Sequence, residues 1–257
     1  MTTERFRHIR LDDVGSTNDE ARSRMIVFPG EEFVVTGVRQ LSGRGRRGRT
    51  WVSPEGNVYA SFLIRAQAPT GRLPELSFVA ALAVAEAASA FVDPPGRVRC
   101  KWPNDVLVDG AKVSGILLET ATDTSGKMVV IAGIGINVAT KPSDTPYPAV
   151  ALSACSPEAS VDGVFTMLRA SLTTWLQTWE THGFAPVRAA WLGLADGVGE
   201  PVVVRLADGE LHGRFAGLDE SGALILEMPQ GDVRRITAGD VFRPAQARQG
   251  ESDAAGH

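Results

Sequence analysis

Gly43-Arg44-Gly45-Arg46-Arg47-Gly48-Arg49-Thr50 is the stretch on which the fold turns, because it satisfies one nucleotide-binding pattern and nearly satisfies a second. It fits G-x-G-x-x-G, the dinucleotide fingerprint, and approaches the P-loop pattern, with Arg49 where a lysine belongs. Both patterns need a helix immediately afterwards, because the helix N-terminus supplies the N–H groups that hold phosphate. Trp51-Val52-Ser53-Pro54-Glu55-Gly56 follows instead, and proline and glycine at that spacing argue against a helix. A doubly wound dinucleotide fold and a P-loop fold are therefore set aside. What remains is a loop dense in guanidinium groups. Arginines grip phosphate and carboxylate bidentately and keep their charge, and glycine lets backbone approach a ligand closely. The loop suits a substrate with several negative charges, such as ATP together with a carboxylic acid. Its like charges should repel one another and keep it mobile until an anion arrives. Standing alone, it reads more simply as a solvated basic loop, or one that touches nucleic acid.

The rest of the chain narrows these options. Net charge is −4 over 257 residues, whereas a duplex-binding domain usually carries a basic balance. The arginine cluster is thus local, and DNA is not the expected partner. No run approaches the ~20 apolar residues of a membrane span. The N-terminus MTTERFRHIRLDD has no apolar core of a signal peptide. Cys100 and Cys155 suggest neither a disulfide framework nor a zinc site. A cytoplasmic protein with two free thiols is the expectation.

Outward from the loop, residues 5–12 read as a strand. Thr17 and Glu20 fit a capping box opening a helix. Phe33–Val38 and Asn57–Arg65 read as strands on either side of the loop, and Leu73–Phe91 as a long core helix. Arg97–Lys101, Val106–Val108 and Ala111–Thr120 are short strands, the last two joined at Asp109-Gly110, a hairpin signal. Met128–Val138 is a long apolar strand. Residues 140–160 form a loop. Val164–Glu180 and Pro186–Leu194 are helical, anchored by Trp175, Trp179 and Trp191. After Gly197 the texture changes to short strands, 202–206, 210–218, 223–228 and 233–237, which suggest a small barrel. The expected organisation is an α+β domain over 1–196, a barrel over 197–245, and a disordered tail over 246–257.

Several short blocks each have a plain structural explanation taken singly. Asn104-Asp105 could be a turn, Lys112 an exposed hairpin lysine, and Gly133 and Gly135 bulge glycines. Their order is more specific. Ser16-Thr17-Asn18, the Gln40–Trp51 stretch, Lys101-Trp102-Pro103-Asn104-Asp105, Lys112-Val113-Ser114-Gly115-Ile116-Leu117 and Gly135-Ile136-Asn137 follow one another along the chain. The series resembles the catalytic domain of bacterial biotin protein ligases, over roughly residues 10–245. The resemblance implies a mixed-sheet catalytic domain like that of class II aminoacyl-tRNA synthetases, followed by a small SH3-like barrel. It implies ATP and Mg²⁺ as cofactors, biotin as substrate and a biotin carboxyl carrier protein as acceptor. It also implies roles. Ser16, Thr17, Asn18 and Gln40 would line the biotin pocket. Gly43, Arg44, Gly45 and Arg46 would close over biotin and the adenylate, and Arg49 would meet pyrophosphate. Trp51 would face the adenine. Lys112 would bridge the biotin carboxylate and the α-phosphate, and Gly115 would let backbone approach biotin. Asn104, Asp105 and Asn137 would contact nucleotide, with Asp105 helping to place a Mg²⁺ carried mainly by the phosphates. Lys112, Arg46 and Asp105 would carry the chemistry. Family members commonly dimerise through the sheet beside the loop, which leaves a homodimer open. Some carry an N-terminal DNA-binding domain; here the catalytic pattern starts within twenty residues, so a ligase that is not a repressor is expected. A lipoate ligase, with shared fold and chemistry, is the alternative enzyme. A nucleic-acid-binding protein is the alternative of another class.

Overall fold

A computed structural model describes residues 5–143, 145 and 147–244. The expected tail over 246–257 lies outside the described residues. A seven-stranded mixed sheet carries the molecule. In chain order its strands are β1 (Arg7–Val14), β2 (Phe33–Gln40), β3 (Val58–Ile64), β4 (Val98–Lys101), β5 (Asp105–Val108), β6 (Ala111–Thr122) and β7 (Met128–Ile136), and in space they run β1-β2-β3-β7-β6-β5-β4. Only β1 and β2 are parallel.

Side-chain alternation divides the sheet into two faces. On β3, Val58, Ala60, Phe62 and Ile64 point into the main core; on β7, Val130, Ala132, Ile134 and Ile136 do the same. Helices α2 (Leu76–Ser89), α3 (Val161–His182) and α4 (Phe184–Leu194) cover that face. Helix α2 is apolar nearly all round and accordingly buried. Its regular turns begin later than the Leu73 start expected from sequence. Pro74 disfavours helical backbone at the residue before it, and Thr70–Glu75 forms a 3₁₀ segment instead. Trp179 and Trp191 are buried anchors as expected, and Trp175 is half-buried with its indole N–H donated to Glu86.

The opposite face is only partly covered. Helix α1 (Thr17–Arg24) packs Ala21 and Met25 against Phe33, Val35, Leu63, Val129 and Ile131. Further along the same face the alternating positions are Ser61, Gly133, Gly135 and Gly115, with almost no side chain to bury. The register places Ser61 opposite Gly133, and Gly135 between Tyr59 and Gly115. The sheet therefore has a bare glycine floor beside the start of α1.

The C-terminal segment forms a second, antiparallel sheet of β8 (Pro201–Arg205), β9 (Glu210–Leu218), β10 (Leu224–Glu227), β11 (Val233–Ile236) and β12 (Asp240–Phe242), ordered β11-β10-β9-β8-β12. Four of these strands match expectation. The fifth, β12, is too short to show in the sequence. One core runs through both sheets: Val202, Phe215, Leu224 and Val241 belong to the same buried cluster as Phe78, Phe184 and Trp191. The Trp102 indole donates to the Gly222 carbonyl at 3.1 Å across the junction.

Candidate active site

A cleft of about 390 Å³ opens over the glycine floor, within the size range of small-molecule sites. Ser16, Thr17, Asn18, Gln40, Arg44, Gly45, Arg46, Arg49, Trp51, Asn104, Asp105, Lys112, Gly115 and Asn137 all line it. Gly43 does not. A side chain there would strike the Trp51 carbonyl and Ser53 Oγ, at 2.5 and 2.6 Å. Gly43 is thus a packing position beneath the loop.

At one end, buried polar groups form a connected chain. The Thr17 backbone N–H donates to Gln40 Oε1 at 2.9 Å, and the Thr17 hydroxyl lies 3.0 Å from the same oxygen. Gln40 Nε2 donates to Ser53 Oγ at 2.9 Å, and Ser53 donates to the Trp51 carbonyl at 2.8 Å. Ser61, fully buried on β3, sets its hydroxyl 2.5 Å from Asn18 Oδ1 and 2.8 Å from Thr17 Oγ1. These contacts overturn the expected capping box. Ser16, not Thr17, is the N-cap, without a side-chain cap bond. Thr17 is held by Gln40, while Glu20 pairs with Arg24 one turn on. The Asn18 amide is left with its carbonyl occupied and its buried Nδ2 without a partner. An unsatisfied buried donor costs about 1–3 kcal/mol, so this end is built to receive an acceptor atom.

The glycine floor makes room for two side chains. A methyl at Gly133 would collide with the Asn18 amide, and one at Gly135 with the Trp51 indole. At Gly115 it would lie 2.9 Å from Trp51 Cζ3 and 3.3 Å from Lys112 Nζ. The bulge explanation for Gly133 and Gly135 is therefore replaced: they are regular ladder residues that admit Asn18 and Trp51. Trp51 Nε1 is buried and unpartnered.

The arginine loop has no helix after it, as the sequence reading required. Arg44 and Thr50 instead bridge as a short antiparallel pair, and Arg46–Gly48 makes one 3₁₀ turn with Arg47 left-handed (φ 55°). Self-repulsion is offset by acids from distant parts of the chain. Arg44 makes two 2.7 Å hydrogen bonds to Asp19 on α1. That contact holds the Asp19 pKa below, and the Arg44 pKa above, their ordinary values. Arg46, Arg47 and Arg49 converge on Asp240 of β12, Arg46 at 3.7 Å and Arg47 at 3.6 Å, with Arg49 in direct contact. Burial lowers the Arg46 pKa, with Asp240 and Asp105 opposing; a guanidinium still stays charged at neutral pH. Arg46 also donates to Asn104 Oδ1 at 3.0 Å.

The hairpin β5–β6 supplies the remaining charges. Lys112 Nζ lies 2.6 Å from Asp105 Oδ1 and 5.4 Å from the centre of the Trp51 ring. Asn104 Nδ2 donates to the Ile116 carbonyl at 2.6 Å, which fixes its amide. Asn137 Nδ2 donates to the Val150 carbonyl at 3.2 Å and the Lys112 carbonyl at 3.4 Å. It thereby ties residues 148–150 to the backbone that bears Lys112. Among the described residues no three His, Cys, Asp or Glu side chains are grouped to hold a metal. Asp105 and Asp240, the carboxylates of the cleft, are already engaged by cations.

Comparison with known proteins gives the constellation its context. Residues 15–137 match the model of the biotin/lipoate A/B protein ligase family, and residues 197–243 that of the biotin protein ligase C-terminal domain. A biotin–acetyl-CoA-carboxylase ligase of Paracoccus denitrificans is 41% identical over 237 residues, spanning 88% of this chain and 96% of that protein. The chain belongs to the biotin protein ligase family. The bifunctional ligase/repressor BirA of Escherichia coli is 32% identical over 90% of the chain and 72% of its own length. Among solved structures, the biotin protein ligase from Aquifex aeolicus in complex with biotin and ATP superposes with a TM-score of 0.78 at 29% identity, covering 92% of this chain and 97% of that one. Against this family background, sequence reading passed over Ser61, Ser53 and Asp240. Ser61 carried a detectable signal, a lone serine in the apolar run Val58–Ile64. Asp240 carried none, since 191 residues separate it from Arg49.

Proposed function

We propose that the cleft activates biotin with ATP as biotinyl-5′-AMP and then releases the biotinyl group to a lysine of a biotin carboxyl carrier protein. The observation that carries the reading is the convergence of Lys112, Arg46 and Arg49 on one cleft whose far end presents the unpartnered Asn18 amide. A carboxylate must attack a phosphorus that already bears negative charge. Its oxygen bonds to the α-phosphorus as the bond to pyrophosphate breaks. Fixed cations aimed at the developing charge lower that barrier, and holding both anions in one cleft supplies proximity. In this reading Ser16, Thr17, Asn18 and Gln40 hold the polar ring of biotin. Lys112 bridges its carboxylate and the α-phosphate, Arg46 and Arg44 neutralise the adenylate, and Arg49 faces the departing pyrophosphate. Trp51 offers its face to adenine, with Asn104, Asp105 and Asn137 around the nucleotide. A Mg²⁺ held mainly by the triphosphate, with Asp105 helping to place it, would neutralise part of the phosphate charge. The C-terminal sheet, read as an SH3-like barrel from residue 197 behind a synthetase-like sheet, completes the site by contributing Asp240.

The test is ATP-dependent incorporation of biotin into a carrier domain, beside Lys112→Ala. Incorporation that requires ATP and is lost in the variant supports the reading. Failure to form any adenylate from biotin overturns it, and lipoate becomes the acid to try.

A further inference from the structure

Ser61 lies one layer behind the cleft rather than in its lining. It is the lone serine of the apolar strand β3, fully buried, and it belongs to neither hydrophobic cluster of the sheet. Its side chain reaches two residues at the start of α1: the hydroxyl oxygen is 2.5 Å from Asn18 Oδ1 and 2.8 Å from Thr17 Oγ1. Both of those residues do line the cleft. Gly133, paired with Ser61 across the β3–β7 ladder, leaves the Asn18 amide its space.

Counting protons gives this cluster a direction. A hydroxyl carries one proton, and an amide oxygen only accepts. The 2.5 Å separation between Ser61 and Asn18 belongs to O–H···O hydrogen bonds and is too short for N–H···O. The Asn18 atom that faces Ser61 is therefore the oxygen, and Ser61 donates its single proton to it. Ser61 can then only accept from Thr17, whose hydroxyl donates to it across 2.8 Å. Gln40 Oε1 keeps the Thr17 backbone N–H as its donor at 2.9 Å. The polarity runs from Thr17 through Ser61 to Asn18, and Asn18 Nδ2 is left over, buried and unpartnered. Hydrogen bonds in such a chain polarise one another and reinforce its direction. Without Ser61 nothing would distinguish the two ends of the amide by shape, since its oxygen and its NH₂ group are nearly equal in size.

We propose that Ser61 is a specificity-determining residue that acts through Asn18: it locks the amide with its N–H towards the cleft, so that the pocket admits a ring carrying an acceptor oxygen at that point and rejects the same ring carrying a donor. The inference rests on the ligase reading above. With biotin in the cleft, the acceptor is the oxygen of its cyclic urea. An analogue in which a guanidinium replaces the urea, as in protonated 2-iminobiotin, sets N–H against the Asn18 N–H. Ser61 touches neither the reacting carboxylate nor the nucleotide; it is a positioning residue whose effect falls on which acid is admitted.

ATP–pyrophosphate exchange by the full chain, driven by biotin or by 2-iminobiotin, reads this choice as a ratio of kcat/KM values. The parent should favour biotin by at least about a hundredfold, since a site built for one hydrogen-bonding pattern rejects its opposite. Ser61→Ala frees the amide to turn, and the ratio should shrink by about tenfold or more, with most of the change in KM. Asn18→Asp supplies the control. A carboxylate presents oxygen whichever way it turns, so this variant should favour 2-iminobiotin. Adding Ser61→Ala to it should then alter the ratio by less than about twofold, and such a cycle isolates the coupling between the two residues. A serine that merely fills space would move the ratio equally in both backgrounds or not at all, and either result overturns the proposal. So does a parent that favours 2-iminobiotin. Should Ser61→Ala support exchange with neither acid, calorimetric titration of both acids without ATP yields the same ratio, judged by the same expectations. If it binds neither, Asn18→Asp decides: a reversed preference supports the proposal, and a retained preference for biotin overturns it. Absence of biotin-dependent exchange in the parent defeats the ligase reading itself, so the two failures are told apart.

Discussion

Lys112 and Gly135 show how differently single residues bear on this cleft. In the proposed reaction Lys112 is a charge aimed at the reacting atoms, and its removal should leave the fold intact. Lys112→Ala is expected to lower adenylation by roughly 10²- to 10³-fold, as deleting one preorganised electrostatic group does; an unchanged exchange rate would remove Lys112 from the chemistry. Gly135 matters through what it lacks. Gly135→Ala drives a methyl into the Trp51 indole, and overpacking of this kind costs about 1–3 kcal/mol. Thermal denaturation should show the loss and should show most of it restored in Gly135→Ala/Trp51→Ala. A double variant no more stable than the single one would mean that the indole is not what the glycine accommodates. Thiol reactivity makes a third contrast. Cys100 is fully buried and its pKa is pushed up to about 12 by desolvation, so the reactive thiolate is scarce at pH 8. The native protein should react with one equivalent of a thiol reagent, through the part-exposed Cys155, and with two in denaturant; two fast equivalents in the native state would contradict this burial.

At the level of elements, the arginine loop is held from both ends of the chain, by Asp19 on α1 and Asp240 on β12. Asp240→Asn should release Arg46, Arg47 and Arg49 and speed tryptic cleavage within the loop of the free protein. Equal cleavage rates for parent and variant would show that β12 does not hold the loop. This is also the level at which sequence and structure part company. Long elements with a clear period were legible: the strands, the core helices and four strands of the second sheet. The cleft was legible because its residues cluster in short blocks of specific composition. What escaped depends on distance. The capping box failed because Gln40, on another strand, offers Thr17 a better partner than its own helix does. Asp240 escaped because no local pattern connects a three-residue strand with arginines far upstream. The role of Gly133 and Gly135 escaped because it lies in what packs above them. Strand pairing, which is non-local, decides that.

For the whole molecule, the decisive fact is that one core serves both sheets. Gly222 approaches Phe78 so closely that a Cβ there would lie 2.6 Å from the ring. The second sheet is packed onto α2 and α4 along with the main core. Calorimetry of the full chain should therefore show a single cooperative transition, as a shared core requires. A chain ending before Pro201 should expose Phe78, Phe184 and Trp191 and fail to give soluble protein. Two resolved transitions, or a stable truncated domain, would contradict this.

The bond between Arg49 and Asp240 has a further consequence, in time. A ribosome adds about 5–20 residues per second, so the 191 positions between the two take roughly 10–40 s to synthesise. Throughout that interval the nascent chain displays its arginines without the β12 carboxylate that gathers them. The growing polypeptide, on the ribosome and among nucleic acids, carries a local cationic cluster that Asp240 only later offsets in part.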